Sequence, residues 1–205
     1  MLEKRTLNIN SRIDLTMKKR PFSKNQILTL RKVLSDRPRD LALLNCGVDT
    51  GLRSSDLLSL KVKDLLTDWG EVRESFYVKM KKTQKQILLE LSSNSISSIE
   101  NLLKVTNKEP DDYLFTSSRV RDSSKPLTTS QLRRVIKSWC IECNWDEQFF
   151  SSHSLRRSLS SEIYKKTKDL RTCQILLGHK NIGNTAEYLG VEQEDAMNLV
   201  RKYRI

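Results

Sequence analysis

Two histidines, an arginine and a tyrosine in the last third of the sequence have the types and spacing of a site that acts on an anion. His153 and His179 are the only histidines in the chain, so any histidine chemistry uses one or both of them. Arg156 lies three positions after His153, which places an imidazole and a guanidinium on one helical face where both can contact one anion. Tyr188 follows His179 by nine positions, and a sharp turn in GHKNIGN is predicted to return the chain on itself.

A phosphodiester is an anion on which these groups can do chemistry. Under attack it gains negative charge on its non-bridging oxygens, and planar guanidinium groups that do not deprotonate are suited to hold that charge. Arg156 fits this role. Tyrosine is a poor nucleophile because its pKa is about 10, but nearby cations favour the phenolate and a base can take the proton. His153 can serve as that base or bind the phosphate, and His179 can donate a hydrogen bond to it.

The first elements that must position these residues are helices with recognisable ends. Ser23 is a good N-cap for a helix that ends near Ser35, since the apolar residues between them follow helical spacing. Pro38 suits the first turn of a second helix, and Gly51 suits its end and a turn just before Arg53. A short helix is predicted around SSDLLSL.

Residues 71–91 predict a β-hairpin, because SFYVKM and QILLEL are rich in strand formers and a polar KTQK turn separates them. The rest of the chain is predicted to be helical, with N-caps at Thr128 or Thr129 and at Ser152 or His153. The helices are expected near residues 94–105, 128–143, 154–167, 170–177, 182–189 and 192–203. The fold class is therefore mainly α with a small antiparallel β-hairpin or sheet.

Charge and composition favour a polyanion as partner. The chain has 37 Lys plus Arg against 25 Asp plus Glu, a net charge of +12, which attracts nucleic acid or an anionic membrane surface. No apolar run is long enough to span a bilayer and no signal peptide is recognised, so an intracellular protein is expected. Cys140 and Cys143 form one C-x-x-C pair without two further ligands, so buried reduced thiols are predicted rather than a zinc site.

The motifs TGLRSSDLLSL, HSLRR and LGHKN, followed by Tyr188, resemble the two signature boxes of the tyrosine recombinase (phage integrase) family. The resemblance begins near Pro21 and is most specific over residues 151–190. It implies the tyrosine recombinase catalytic-domain fold, with residues 1–20 as a basic N-terminal arm and residues 21–205 as the catalytic domain. By motif, the implied catalytic residues are Arg53, Lys82, His153, Arg156, His179 and Tyr188.

At three positions the match to the family motifs leaves a choice or departs from the pattern. The hairpin turn offers Lys81, Lys82 and Lys85, and Lys82 is chosen because it precedes Thr83 and leads into the outgoing strand. Asp56 either orients the catalytic arginine, as an acidic residue at that position does in the family, or serves as a helix cap or surface ion pair. Arg157 departs from the family pattern, in which many members have a second histidine.

The resemblance implies a reaction and partners. Tyr188 would attack DNA to leave a covalent 3′-phosphotyrosine, and Lys82 would protonate the leaving 5′-oxygen, with no metal or cofactor. The partners would be double-stranded DNA with inverted half-sites, a homodimer on each site, a homotetramer in the synapse, and accessory DNA-bending proteins; no membrane is involved. A cytoplasmic, nucleoid-associated location is expected. The short N-terminus is similar to that of compact members such as fimbrial-type DNA invertases, which lack the core-binding domain.

Other interpretations remain open at this point. Each residue taken alone fits a structural role, such as a half-buried packing residue for Tyr188 or a solvated charge for Arg53. A non-catalytic DNA-binding regulator on the same fold, a type IB topoisomerase and a basic RNA-binding protein are the rival functions. The last helix has an apolar stripe that would dock either on a neighbouring protomer or on its own core, formed by Ala196, Leu199, Val200 and Tyr203.

Overall fold

The computed structural model describes residues 19–117, 124–191 and 193–204. Most of the predicted basic arm, residues 1–18, therefore lies outside the described residues. Within the described ranges the chain is mostly helical, with one two-stranded antiparallel sheet. The predicted fold class is confirmed.

The first helices begin and end where the sequence indicates. Helix α1 is Lys24–Val33, and the Ser23 side chain accepts a hydrogen bond from the backbone of Gln26 in a capping box. Helix α2 is Pro38–Thr50, and it ends at Gly51, which has a φ of 55°. Glycine adopts this left-handed conformation without a Cβ penalty. Two short helices follow, α3 at Ser54–Leu57 and α4 at Val62–Leu65.

The predicted hairpin consists of β1, Ser75–Lys79, and β2, Gln86–Glu90. Phe76 pairs with Leu89, and both side chains are buried, while Tyr77 and Leu88 on the other face are exposed. This alternation is the period of two that an antiparallel sheet with one covered face requires. The buried face of the sheet anchors the hairpin on the core, and residues 80–85 connect the two strands.

Six helices complete the described part of the chain: α5, Ser93–Thr106; α6, Thr129–Glu142; α7, Ser152–Thr167; α8, Leu170–Leu177; α9, Ile182–Leu189; and α10, Gln193–Lys202. A 3₁₀ turn at Glu147–Phe149 precedes α7. The predicted N-cap of α6 is confirmed at Thr128. The N-cap predicted for α7, Ser152 or His153, is wrong, because Ser151 is the cap and accepts the hydrogen bond from the His153 backbone. His153 therefore lies inside the first turn of α7.

The core lies around α2, which packs against α5 and α7. Trp139 of α6 is fully buried, and its indole nitrogen donates to Asp40 at 3.1 Å. Satisfying this polar group matters because an unpaired buried donor costs about 1–3 kcal/mol. Three of the four free cysteines are buried and Cys143 is half-buried, and burial raises the pKa of the Cys140 thiol to about 12.

Helix α10 leaves its apolar stripe uncovered in this chain. Leu199, Val200 and Tyr203 are 40%, 49% and 66% exposed. An ion pair of 2.8 Å between Lys168 and Asp195 joins the start of α10 to the end of α7. Docking of the stripe on its own core, one of the two predicted alternatives, is therefore not what the structure contains. No helix among the described residues has both the length and the apolar character needed to cross a membrane.

Candidate active site

One pocket of about 570 Å³ contains all six residues predicted from the sequence. Its walls come from the start of α3, the hairpin turn, the first turn of α7, the α8–α9 connection and α9. The lining residues are Arg53, Ser54, Ser55, Lys82, Thr83, Ser152, His153, Arg156, His179, Lys180, Asn184 and Tyr188. Four stretches that are far apart in sequence, residues 53–55, 82–83, 152–156 and 179–188, thus contribute to one site rich in cationic groups.

Arg156 is the most deeply buried cation of the pocket, with 4% of its surface exposed. Its guanidinium donates to the carbonyl of Gly51 and, at 2.6 Å, to that of Leu177. These carbonyls lie at the C-terminal ends of α2 and α8, where helix carbonyls lack intrahelical partners and the helix dipole favours a cation. Burial lowers the pKa of Arg156, but a guanidinium stays protonated in proteins. Arg156 therefore holds a fixed positive charge and also joins two helix ends.

Arg53 is the N-cap residue of α3 and follows the left-handed turn at Gly51. Its guanidinium lies 3.4 Å from the Met80 sulfur. Met80 is fully buried, and it fills the space beside Gly178, where a Cβ would lie 2.1 Å from the Met80 methyl carbon. The arginine is thus supported by the hairpin and by the glycine of the LGHKN motif.

The hairpin turn brings Lys82 to the pocket. Lys81, Lys82 and Lys85 are all exposed, but of these three only Lys82, together with Thr83, lines the pocket. The backbone N–H of Lys81 donates to Asp56 at 3.1 Å. Asp56 is 1% exposed, so it is not a surface ion pair, and its observed hydrogen bond ties the turn to α3. The sequence did not indicate this role for Asp56.

His179 lies among cations, beside the tyrosine. Its Nδ1 is 3.0 Å from the Thr185 hydroxyl, its Nε2 is 3.5 Å from Arg156, and its ring meets that of Tyr188 edge to face at 5.4 Å. Burial, reinforced by the charges of Arg156, Arg53 and Lys82, lowers the pKa of His179 to about 4. Thr185 is fully buried and fixes the ring orientation, a contact that sequence reasoning missed. His179 is therefore neutral at pH 7.

His153 is more open to solvent than His179. It lines the pocket with a larger exposed fraction than His179, and its pKa is lowered by partial burial and by the charges of Arg156 and Arg157. The first turn of α7 also offers a helix N-terminus, which favours negative charge. An anion in the pocket could thus contact both His153 and the N-terminus of α7.

The two histidines provide a direct test of this electrostatic arrangement. In DNA-free protein we expect the His179 ring protons to titrate with a midpoint near pH 4, while His153 titrates below its ordinary value. Proton NMR resolves both rings, because the chain has only two histidines, and a His179→Asn variant assigns them. A His179 midpoint at or above about 6.5, the ordinary value for histidine, would contradict the buried, cation-flanked position.

Tyr188 lies on α9 with its ring half-buried and its hydroxyl buried. Among the described residues the hydroxyl oxygen forms no hydrogen bond of standard geometry, although the Arg156 guanidinium lies close enough to interact with it. Burial raises the pKa of Tyr188, while the charges of Arg156, Arg157 and Arg53 act in the opposite direction. A buried, unpaired hydroxyl among cations is rare in proteins and is suited to react with an anion that enters the pocket.

Comparisons with known proteins identify the family. Residues 20–195 match the phage integrase family. The chain belongs to the phage integrase family. One relative, the probable integrase/recombinase YoeC of Bacillus subtilis, is 31% identical over 79% of this chain and 83% of its own length. The tyrosine recombinase XerC of Shewanella amazonensis is 30% identical over 84% of this chain and 55% of its own.

Solved structures of other recombinases have the same fold as this phage integrase family member. The recombinase XerH, in a pre-cleavage complex with its difH substrate, superposes with a TM-score of 0.69 at 22% identity. The match covers 94% of this chain and 57% of XerH. The match thus spans about four-fifths of YoeC but little more than half the length of XerC and XerH.

Proposed function

We propose that this protein is a site-specific DNA recombinase that cleaves and rejoins strands through a covalent 3′-phosphotyrosine at Tyr188. The observation that supports it most is the pocket, in which the buried, unpaired hydroxyl of Tyr188 lies with Arg53, Arg156, two histidines and a lysine. Such a set matches the charge that develops on a phosphodiester under attack. The outcome can be integration, excision, inversion or resolution.

In the proposed cleavage step, the Tyr188 oxygen attacks the phosphorus, so that a Tyr–O–P bond forms and the bond to the 5′-oxygen breaks. Arg53 and Arg156 hold the non-bridging oxygens, and His179, which is neutral near pH 7, donates a hydrogen bond to one of them. Rejoining is the reverse reaction, in which the free 5′-hydroxyl attacks the phosphotyrosine. The phosphodiester energy is kept in the covalent bond, so the step needs no metal or nucleotide cofactor.

Two proton transfers accompany this step. Lys82 is the general acid that protonates the leaving 5′-oxygen, and its place in the pocket lining favours it over Lys81 and Lys85. His153 is the base that takes the phenolic proton, because it lies in the same pocket and its lowered pKa leaves it unprotonated at neutral pH. Lys82 and His153 both reach the pocket from exposed positions, so the DNA itself would complete their surroundings.

We further propose how the protein assembles on DNA. Residues 21–205 form the catalytic domain and residues 1–20 a basic arm along the backbone, with the net charge of +12 supporting phosphate contacts. A homodimer binds inverted half-sites, four protomers form the synapse, and accessory DNA-bending proteins assist. The exposed stripe of α10 is then free to dock on a neighbouring protomer. The protein would act in the cytoplasm, associated with the nucleoid.

Covalent trapping tests the function directly. Half-sites selected from a random DNA library by binding to this chain are built into nicked suicide substrates, from which the cleaved fragment diffuses away. After trypsin digestion we expect the nucleotide adduct on the peptide of residues 181–201, which contains Tyr188 and no other tyrosine. The adduct mass on this peptide identifies both the reaction and the nucleophile.

The rival functions give different results in the same assay. Tight, specific binding without an adduct would contradict the proposal and favour a non-catalytic DNA-binding regulator. Relaxation of a supercoiled plasmid that lacks the selected site would favour a topoisomerase. Specific cleavage that is confined to the selected site, with the adduct on the predicted peptide, supports the recombinase.

A further inference from the structure

Arg157 contacts the proposed nucleophile from outside the pocket. Its guanidinium carbon lies 5.1 Å from the centre of the Tyr188 ring, a cation–π distance. Its neighbour Arg156 lines the pocket, whereas Arg157 does not. Two consecutive positions of α7 therefore contribute charge at Tyr188, and only the first of them can also touch a bound phosphate.

The N-terminal segment holds Arg157 in this position. The Lys19 carbonyl accepts a hydrogen bond of 2.7 Å from the Arg157 guanidinium. This segment is itself fixed, because the Arg20 backbone N–H donates to the Phe149 carbonyl at 2.8 Å. The Phe22 ring also stacks on Phe150 at 4.6 Å. Arg157 thus has a defined orientation that depends on residues 19–22, which are remote from it in sequence.

The bonding of Arg157 leaves its charge available. No carboxylate forms an ion pair with it within the part of the chain that the structure describes, and its Nε is buried without a hydrogen-bond partner there. Arg156, by contrast, donates two of its five N–H groups to the Gly51 and Leu177 carbonyls. A buried phenol resists ionisation, so each cation at the ring opposes that effect. The charged or titratable groups that face Tyr188 or share its pocket are Arg53, Lys82, His153, Arg156, Arg157, His179 and Lys180.

We propose that Arg157 is a positioning residue for Tyr188, which holds the nucleophile's ring in place and stabilises the negative charge that its oxygen acquires during attack. The inference rests on the proposed phosphotyrosine function. It adds that the N-terminal segment, by fixing Arg157, keeps the nucleophile in a reactive setting. Many family members have a histidine at the position of Arg157. The contact of an arginine with both Tyr188 and the Lys19 carbonyl is therefore a feature of this sequence rather than of the family pattern.

Two substitutions separate charge from hydrogen bonding. Arg157→Gln keeps an N–H donor for the Lys19 carbonyl but removes the charge, whereas Arg157→Lys keeps the charge. Arg134→Gln, on the exposed face of α6, is the matched control for loss of one positive charge. Protein labelled with fluorotyrosine, whose phenol is more acidic, is titrated by ¹⁹F NMR without DNA, and Tyr188→Phe assigns the Tyr188 signal.

We expect Arg157→Gln to raise the titration midpoint of Tyr188 by about 0.5–1 pH unit. Single-turnover cleavage near pH 7 should fall about 3- to 10-fold, in proportion to the smaller phenolate fraction, and recover at higher pH. Arg157→Lys should retain most of the wild-type Tyr188 midpoint and most of the wild-type cleavage rate. Arg134→Gln should change neither the midpoint nor the rate. An unchanged Tyr188 titration in Arg157→Gln, or a lysine variant as defective as the glutamine variant, would overturn the inference. Since the titration needs no DNA, its result is independent of whether wild-type protein cleaves.

Discussion

Tyr188→Phe is expected to abolish the covalent adduct while the protein still folds and binds its DNA site. The substitution removes the attacking oxygen and leaves the ring, so the contacts with His179 and Arg157 persist. Loss of a nucleophile lowers the rate of a covalent reaction by about 10⁴- to 10⁶-fold. Adduct formation on suicide substrates gives the rate, and a mobility shift gives the affinity. Adducts of normal yield in this variant would mean that another hydroxyl of the pocket attacks.

The same variant has a second expected result, on stability. The Tyr188 hydroxyl is buried and forms no hydrogen bond of standard geometry with the described residues, so its removal takes away only its interaction with the nearby Arg156 guanidinium. We expect the free energy of unfolding to stay the same or to rise by up to about 1 kcal/mol, because an unpaired buried polar group disfavours the folded state. Urea denaturation measures this change. A loss of more than about 1 kcal/mol, the worth of one net hydrogen bond, would mean that the hydroxyl is bonded after all.

Arg156→Ala is expected to damage both the reaction and the fold. Removing one preorganised group that stabilises transition-state charge slows a reaction by about 10²- to 10³-fold, and a fixed guanidinium supplies both charge and two donors, so we expect at least the upper value. The Gly51 and Leu177 carbonyls would also lose their donor. At about 1–3 kcal/mol for each unpaired carbonyl, we expect a loss of stability of up to about 6 kcal/mol. Single-turnover cleavage and urea denaturation measure the two effects.

Arg156→Lys tests the effect on cleavage even if the alanine variant does not fold. Lysine retains the charge but not the planar fork that reaches two carbonyls at once. We expect a folded protein with a smaller loss of stability and cleavage still reduced by about 10²-fold or more. DNA affinity should fall only a few-fold, because one phosphate among many is affected. Equal losses of affinity and cleavage would contradict a role at the reacting phosphate, and Arg134→Ala on exposed α6 is the control.

The sequence predicts those parts of the fold that have local causes. Ser23, Pro38 and Gly51 act through their own backbone or side chain, and they mark the ends of α1 and α2 correctly. Helix α4 was missed because its four residues depend on a distant segment. Val62 and Lys63 donate backbone hydrogen bonds to Asp112 and Pro110, which no local pattern reveals. Ser151 was missed as the α7 cap because three serines lie near the start of that helix.

For the candidate site, too, the sequence predicts some features and not others. The residue types and spacing around His153, His179 and Tyr188 suffice to predict which side chains share a pocket, once the family resemblance supplies Arg53 and Lys82. The supporting contacts could not be predicted, since they join residues remote in sequence. Arg156 bonds Leu177, 21 positions away, and Arg157 bonds Lys19, 138 positions away. Such pairs follow from the packing of α7 against α8 and the N-terminal segment, which is a property of the whole fold.

The double use of Arg156 predicts how copies of this gene would decay once selection for recombination is relaxed. Natural proteins tolerate substitutions until they fall below a stability threshold. On the proposed mechanism, a change at Tyr188 would destroy activity without breaking a hydrogen bond of standard geometry, whereas a change at Arg156 removes the donor shared by two helix ends. Inactive but folded descendants should therefore lose the tyrosine early and retain the arginine for as long as the protein is kept for binding DNA.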